Sequence, residues 1–263
     1  MSSSRETSTG TKSVERALSL LTTFSDRYSA KRISELVADT GLGQSTVSRL
    51  VGTLTALGFL AHDERTGLYT LGHENLRLAN IALNYSPVHQ RARQFAQELA
   101  HETGLGVNVA ERDGDRFLYL LNFEGKNAPR AATLVGRTGP LHATALGKCL
   151  LSDLSADEVR ATLGPELPRF TPHTIDDSDE LLREVARVRD RGYAVEREEA
   201  ALGRACVAAP VRGREGSVVA ALSISGPLAA MQLDAQEPRL AESAIHWAGE
   251  ISSELGFLGL NVT

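Results

Sequence analysis

The chain has 263 residues, 42% of them hydrophobic and 23% charged, with a formal net charge of −5. That length admits two domains, and the composition is that of a globular protein with a core to bury. No run approaches the roughly 20 apolar residues that cross a bilayer. The start MSSSRETSTGTK lacks the apolar stretch of a signal peptide, so a cytoplasmic protein without membrane association is expected.

Charge is unevenly placed. Residues 1–75 hold eight Lys or Arg and eight Asp or Glu, and the remaining 188 carry the whole acidic excess. An N-terminal nucleic-acid module is compatible with this balance, because charges beyond a Debye length of about 8 Å are screened. Its few cations imply paired copies with several phosphate contacts.

Residues 1–11 are rich in Ser and Thr and are expected to be irregular. Val14, Ala17, Leu18, Leu21 and Phe24 then recur at helical spacing and predict a supporting helix over 12–24. After a break at 27–29, Ile33, Leu36 and Val37 mark a short helix that Thr40-Gly41-Leu42 ends. A second stripe follows at Val47, Leu50, Val51, Leu54 and Leu57. Two helices joined by a tight glycine-containing turn suit a helix-turn-helix. The second helix carries Gln44, Ser45, Thr46, Ser48, Arg49 and Thr53 on its polar side, compact groups able to meet base edges in a major groove. Phe59 to Leu71 reads as a hairpin, with Phe59 and Ala61 on one face, Tyr69 and Leu71 on another, and DERTG as its turn. Helix, helix, hairpin is the order of a winged helix-turn-helix.

A helix over 73–85 has a broad apolar side at Leu76, Ala79, Ile81 and Leu83. Pro87 marks a boundary, and a helix over 88–103 stops at Gly104. The expected division is therefore a DNA-binding domain over 12–72, a helical linker over 73–86 and a second domain over 87–256. In the latter, strands are expected at 107–111, 117–123, 131–135, 193–196, 205–211 and 218–225. Helices are expected at 142–152, 156–163 with Ser155 as N-cap, 179–190 and 233–255, and 164–176 is a loop. Strands separated by helices and then paired directly suggest an α+β fold with helices packed on one sheet.

The segment CVAAPVRGREGSVVAALSIS, 206–225, predicts a hairpin centred on Arg214 and Glu215, which sets Cys206 opposite Ser223. One face then offers a thiol and the hydroxyls of Ser223 and Ser225 among small alkyl groups, the makeup of a small-molecule pocket. Solvent-exposed serines are the competing reading. In GRTGPLHATALGKCLL, 136–151, a turn leads into a helix start near Thr138, His142 and Thr144; His142 serves either a pocket or the core. This run lacks the spacing of a nucleotide loop. Catalysis has little support, because His142 and Cys206 have no evident orienting partner, and Glu196, Glu198 and Glu199 read as a solvated charge group. Cys149 and Cys206 are the only cysteines and the seven histidines are dispersed, so neither a disulfide framework nor a metal site is expected. No cofactor is expected either.

At this point the chain resembles the IclR family of bacterial transcriptional regulators over 12–256. The marks are KSVERALSLL, DTGLGQSTVSRLVGTLTALGFL, GPLHATALGKCLL and GYAVEREEAALGRACVAAPVRGREGSVVAALSISGP. The resemblance implies a homodimer or dimer of dimers on palindromic double-stranded operator DNA, and no enzyme activity. It also implies a GAF/PAS-like sensor domain, with an antiparallel sheet flanked by helices, that binds a small organic effector such as an organic or aromatic acid. It assigns DNA contacts to Gln44, Ser45, Thr46, Ser48 and Arg49, flanked by Lys31 and Arg65. The effector pocket falls to Thr144, Ala145, Leu146, Glu196, Cys206, Ser223 and Ser225. Two positions depart from the family pattern. Gly43 stands where many relatives start the recognition helix with proline, and Glu196 stands where aspartate is frequent, placing a carboxylate that would repel an acidic effector unless protonated, paired or turned away. A constitutive repressor whose C-terminal domain only oligomerises, and an enzyme with a nucleic-acid-binding appendage, are the rival readings.

Overall fold

The structure, a computed structural model, describes residues 9–25, 27–127 and 133–259. The chain divides into two units, Met1–Ala82 and Leu83–Thr263. In the first, Leu20, Leu36, Val47 and Leu60 are at most 2% exposed and Leu50, Val51 and Leu54 join them. Burying one such side chain contributes about 1.5–3 kcal/mol, and these seven tie together α1 (Thr9–Leu21), α2 (Ile33–Thr40) and α3 (Gln44–Ala56). Helix α1 starts inside the stretch expected to be irregular; residues 1–8 of that stretch lie outside the described residues. Gly41 ends α2 at φ 66°, a left-handed conformation that L side chains rarely adopt, and its N–H caps Val37 O at 2.9 Å.

The hairpin pairs β2 (Leu60–Asp63) with β3 (Leu68–Leu71). Its buried residue is Leu60, whereas Ala61 is exposed. Within β2 Leu60 carries the inward face, and Phe59, just ahead of the strand, packs half-buried against the same core. A third strand, β1 (Ala30–Lys31), pairs with β3. It fell in the break ahead of the helices, since two residues are too few to show a period. Helix α4 (His73–Tyr85) buries none of its residues; Leu76, Ile81 and Tyr85 are 69%, 54% and 84% exposed.

In the second unit, six antiparallel strands run in the order β6-β5-β4-β9-β8-β7. They are β4 (Gly106–Asp113), β5 (Arg116–Phe123), β6 (Thr138–Pro140), β7 (Ala194–Arg197), β8 (Arg204–Arg212) and β9 (Val218–Pro227). Val107, Val109, Val207, Ala209, Leu222 and Ile224 face one core, built with α5 (Pro87–Thr103) and α10 (Leu233–Glu254). Ala110, Phe117, Cys206, Ala208 and Ala221 face another, built with α6 (Ala145–Leu151), α7 (Ala156–Leu163) and α8 (Ser178–Arg191). Ser155 caps α7 in a capping box with Glu158, as its sequence position predicts. A one-turn helix, α9 (Leu228–Met231), precedes α10. No helix among the described residues is long and apolar enough to cross a membrane.

Three expectations are corrected here. The strand expected at 131–135 is absent from its described part, Thr133 to Val135, and Ala131 and Ala132 lie outside the described residues. The edge strand is β6 instead, made of the residues read as a turn. The helix expected from His142 begins at Ala145, because the Thr144 hydroxyl accepts from Gly147 N at 3.0 Å and fixes the N-cap there. In the β8–β9 hairpin, Cys206 pairs with Ser225 and Ala208 with Ser223. Residues 213–217 form an odd turn, and a bulge between Val211 and Arg212 adds Val219 as one further unpaired residue. Two odd insertions restore the parity, so Cys206, Ser223 and Ser225 still share one face.

Candidate DNA-binding face and ligand cavity

Gln44, Ser45, Ser48 and Arg49 lie exposed on α3, and Thr46 is half-buried. Val47, Leu50, Val51 and Leu54 take the opposite side into the core. The hairpin turn is held by Asp63: its carboxylate accepts from Arg65 N at 2.9 Å and from the Thr66 hydroxyl at 2.8 Å, leaving the Arg65 side chain exposed at the tip. The His62 and Tyr69 rings stack across the strands at 4.3 Å and stiffen the hairpin.

Lys31 departs from its expected role as a DNA contact. It is 6% exposed, its ammonium lies 2.5 Å from Asp39, and the Phe24 and Tyr28 rings flank it at 5.9 and 5.7 Å. That charge is neutralised inside the module. Arg32 next to it is exposed and reaches the hairpin turn at Gly67, which makes it the available cation. Strand alternation on β1 carried this signal, but only pairing with β3 shows which parity points inward.

On the helix-α6 face of the sheet, a cavity of about 340 Å³ opens. Its floor is a lateral row, Ser225, Cys206 and Glu196, on neighbouring strands, with Asn108 paired beside Ser223. The Asn108 amide donates to Ser225 Oγ at 3.0 Å and to Ser223 Oγ at 3.4 Å, while its carbonyl accepts from Asn122 at 2.8 Å. Tyr119, Leu134, Leu146, Arg137 and Arg204 complete much of the wall. Of the expected pocket residues, Thr144, Leu146, Glu196, Cys206, Ser223 and Ser225 line the cavity; Ala145 is fully buried behind it in the core. The Thr144 hydroxyl is already engaged, accepting from Gly147 N and donating to Pro140 O at 3.0 Å. Asn108, Tyr119 and Arg204 escaped sequence reading because they stand on strands whose order was unknown.

His142 belongs to the core. It is 3% exposed, bonds Pro168 O through Nε2 at 2.9 Å and stacks on Phe170 at 5.7 Å, holding the 164–176 loop. Burial pushes its pKa down. The expectation of solvated glutamates is corrected too: Glu196 and Glu199 are 5% and 8% exposed. Glu196 Oε1 accepts from Glu199 N at 2.7 Å and Ala200 N at 3.3 Å, and Lys148, 1% exposed, donates to Glu199 Oε1 at 2.6 Å. Burial raises the Glu196 pKa to about 7 and pushes that of Glu199 up as well. The Cys206 and Tyr119 side chains, desolvated in the same place, are both pushed up to about 12, so neither supplies a nucleophile at neutral pH. Among the described residues no His, Cys, Asp and Glu cluster could hold a metal.

A helix-turn-helix with a polar exposed face and a hairpin, followed by a helix-flanked sheet enclosing a small cavity, defines a DNA-binding regulator with a separate C-terminal domain. Residues 13–64 match the IclR helix-turn-helix domain model, and residues 81–253 match the model for the bacterial transcriptional regulator IclR C-terminal region. The chain belongs to the IclR family of transcriptional regulators, which are DNA-binding proteins and not enzymes. It is 35% identical to the HTH-type transcriptional regulator XynR of Escherichia coli K12 over 81% of this chain and 85% of that one. A transcriptional regulator from Rhodococcus sp. RHA1 superposes with a TM-score of 0.83 at 28% identity, covering 93% of this chain and 98% of its own. An IclR homologue from Microbacterium hydrocarbonoxydans, solved with 4-hydroxybenzoate, gives a TM-score of 0.79 at 26% identity, with coverage of 92% and 98%.

Proposed function

We propose that the chain is an effector-responsive regulator that binds palindromic operator DNA as a homodimer or dimer of dimers and takes a small organic effector in the C-terminal, GAF-like domain. The observation that carries this reading is the cavity itself, apolar walls with a few convergent polar groups and a volume within the usual range for small-molecule sites. The family relative solved with 4-hydroxybenzoate supports an aromatic or other organic acid as the class of effector. Exposed leucine, isoleucine and tyrosine along α4 support self-association. An effector shifts operator binding only through its differential affinity for two conformations of the regulator, and paired half-sites stand about 34–36 Å apart. Gln44, Ser45, Thr46, Ser48, Arg49 and Arg65 are the proposed DNA contacts, with Arg32 taking the place of Lys31.

Arg49→Ala is expected to weaken operator binding by about 10–100-fold, the equivalent of the ~1–3 kcal/mol that a good bidentate base contact contributes. Mobility shifts on genomic fragments selected by the parent protein measure it. Thermal unfolding should not move, since the exposed side chain has no hydrogen-bond or ion-pair partner among the described residues; unchanged DNA affinity removes Arg49 from the interface. Ser223→Ala is expected to raise the effector concentration for half-response by about two- to tenfold, as one hydrogen bond contributes ~0.5–1.5 kcal/mol. Operator binding without effector should be unaffected. An unaltered dose-response excludes Ser223 from the site.

A further inference from the structure

Beneath the cavity lies a group whose charges do not cancel: one ammonium, Lys148, and two carboxyls, Glu196 and Glu199. Lys148 Nζ is committed to Glu199 Oε1 at 2.6 Å and to Val195 O at 3.2 Å. Glu196 is left without a cation. Its Oε1 accepts the two backbone N–H groups of Glu199 and Ala200, and its Oε2 has no hydrogen-bond partner among the described residues and is the oxygen left for the cavity. A buried carboxylate without a counter-charge is costly, whereas a carboxylic acid in the same place is a hydrogen-bond donor. At the cavity rim, Arg204 makes no side-chain ion pair among the described residues, so the site has a cation on one side and a protonatable acid on the other.

We propose that Glu196 couples effector binding to proton uptake: an organic anion and one proton from water enter together, the anion oriented toward Arg204 and the proton held on Glu196 Oε2 and shared with an effector oxygen. This deepens the regulatory reading above and rests on it. Tyr119, Leu134 and Leu146 supply apolar wall for the body of such an anion. No covalent bond forms; the effector stays a carboxylate and the proton is drawn from solvent.

The groups facing Glu196 fix the pH window. Glu199 lies beside it and opposes its ionisation, Lys148 favours it, Cys206 and Arg204 approach from β8, Tyr119 from β5, and Arg137 from the segment before β6. Cys206 and Tyr119 titrate only near 12, and Glu199 is held by the Lys148 ammonium at 2.6 Å, so between pH 7 and 8.5 the exchangeable proton is assigned to Glu196. With a free-state pKa of about 7 that a bound anion raises further, uptake is about half a proton at pH 7 and close to one at pH 8. Affinity is level below pH 7 and falls as pH rises, approaching about tenfold per unit.

Isothermal titration calorimetry of the full chain with benzoate and with 4-hydroxybenzoate, from pH 6.5 to 8.5 in two buffers of different ionisation enthalpy, tests this. The expected result is a buffer-dependent heat corresponding to proton uptake, with dissociation constants rising above pH 7. In Glu196→Gln, whose amide keeps both an acceptor for the backbone N–H groups and a donor for the cavity, the pH slope and the buffer dependence should vanish while binding persists. Equal heats in both buffers for the parent, or an unchanged slope in the variant, overturn the proton coupling and leave the effector-responsive regulator standing. Failure of both acids to bind also overturns it. The regulatory reading is judged separately, by whether a metabolite extract alters operator binding.

Discussion

Replacing Lys148 with methionine is expected to lower the unfolding free energy by about 3–5 kcal/mol, because it strands a buried carboxylate. Methionine keeps most of the lysine volume, so the loss reports charge rather than a cavity. Lys148 is 1% exposed, and its helix α6 has all seven residues buried, so water cannot readily take over the role of the ammonium. Among the described residues Glu199 Oε2 has no hydrogen-bond partner and Lys148 is the only side-chain donor to Oε1, which its removal takes away. The double change Lys148→Met with Glu199→Met is expected to recover most of the loss, since replacing a buried pair by apolar groups is often neutral or better. Urea denaturation of the three proteins measures both numbers. Burial holds the Glu199 pKa above its unfolded value. A group raised in that way contributes stability that is present below its unfolded pKa and lost as pH rises, so the deficit of the single variant should shrink toward pH 4.5 and widen above it. A single variant as stable as the parent would show that the pair is solvated rather than buried.

Gly147→Ala is the second large effect, and its sign runs against helix propensity. Alanine is favoured over glycine inside a helix by about 1 kcal/mol. A Cβ at residue 147, however, would lie 2.1 Å from Leu141 O and 2.4 Å from Leu141 Cα. Both are backbone atoms, so no side-chain rotation relieves the overlap, and α6 must move off the chain that leads into it. Overpacking of this kind costs about 1–3 kcal/mol and occasionally more; contact with backbone places this case at the upper end. Because Thr144 and Leu146 border the cavity, effector response should be lost together with stability. Gly249→Ala in α10 is the matched control: nothing lies within 4 Å of its would-be Cβ, and it should stabilise. Thermal unfolding of both variants decides the matter, and a Gly147→Ala protein as stable as the parent would show that α6 is not packed against Leu141.

Much of this protein is written in local pattern. The three-and-four spacing of Val47, Leu50, Val51 and Leu54 places Ser45, Ser48 and Arg49 outward on any helix, whatever packs beneath. Likewise, period-two alternation puts Ser223 and Ser225 on one strand face. The sequence by itself therefore determined the helix-turn-helix, the exposed face of α3 and most of the elements that follow. Burial of charge and the choice of strand neighbours are decided elsewhere. Lys31 looked like any cation before a helix until Asp39, Phe24 and Tyr28 closed around it. Cys206 faces Ser225 rather than Ser223 because an odd turn and the extra Val219 add up, a sum that alternation cannot register since it returns the same parity. Asn108 and Tyr119 reach the cavity only because β4 and β5 lie on the far side of β9. Three adjacent-looking glutamates became a half-buried Glu198 bonded to Gly203 N, a Glu199 paired with the buried Lys148 ammonium that α6 supplies, and a Glu196 without an ion pair among the described residues. Periodicity records which way a side chain points; the cost of its charge depends on atoms supplied by distant parts of the chain, and those are set by the tertiary structure alone.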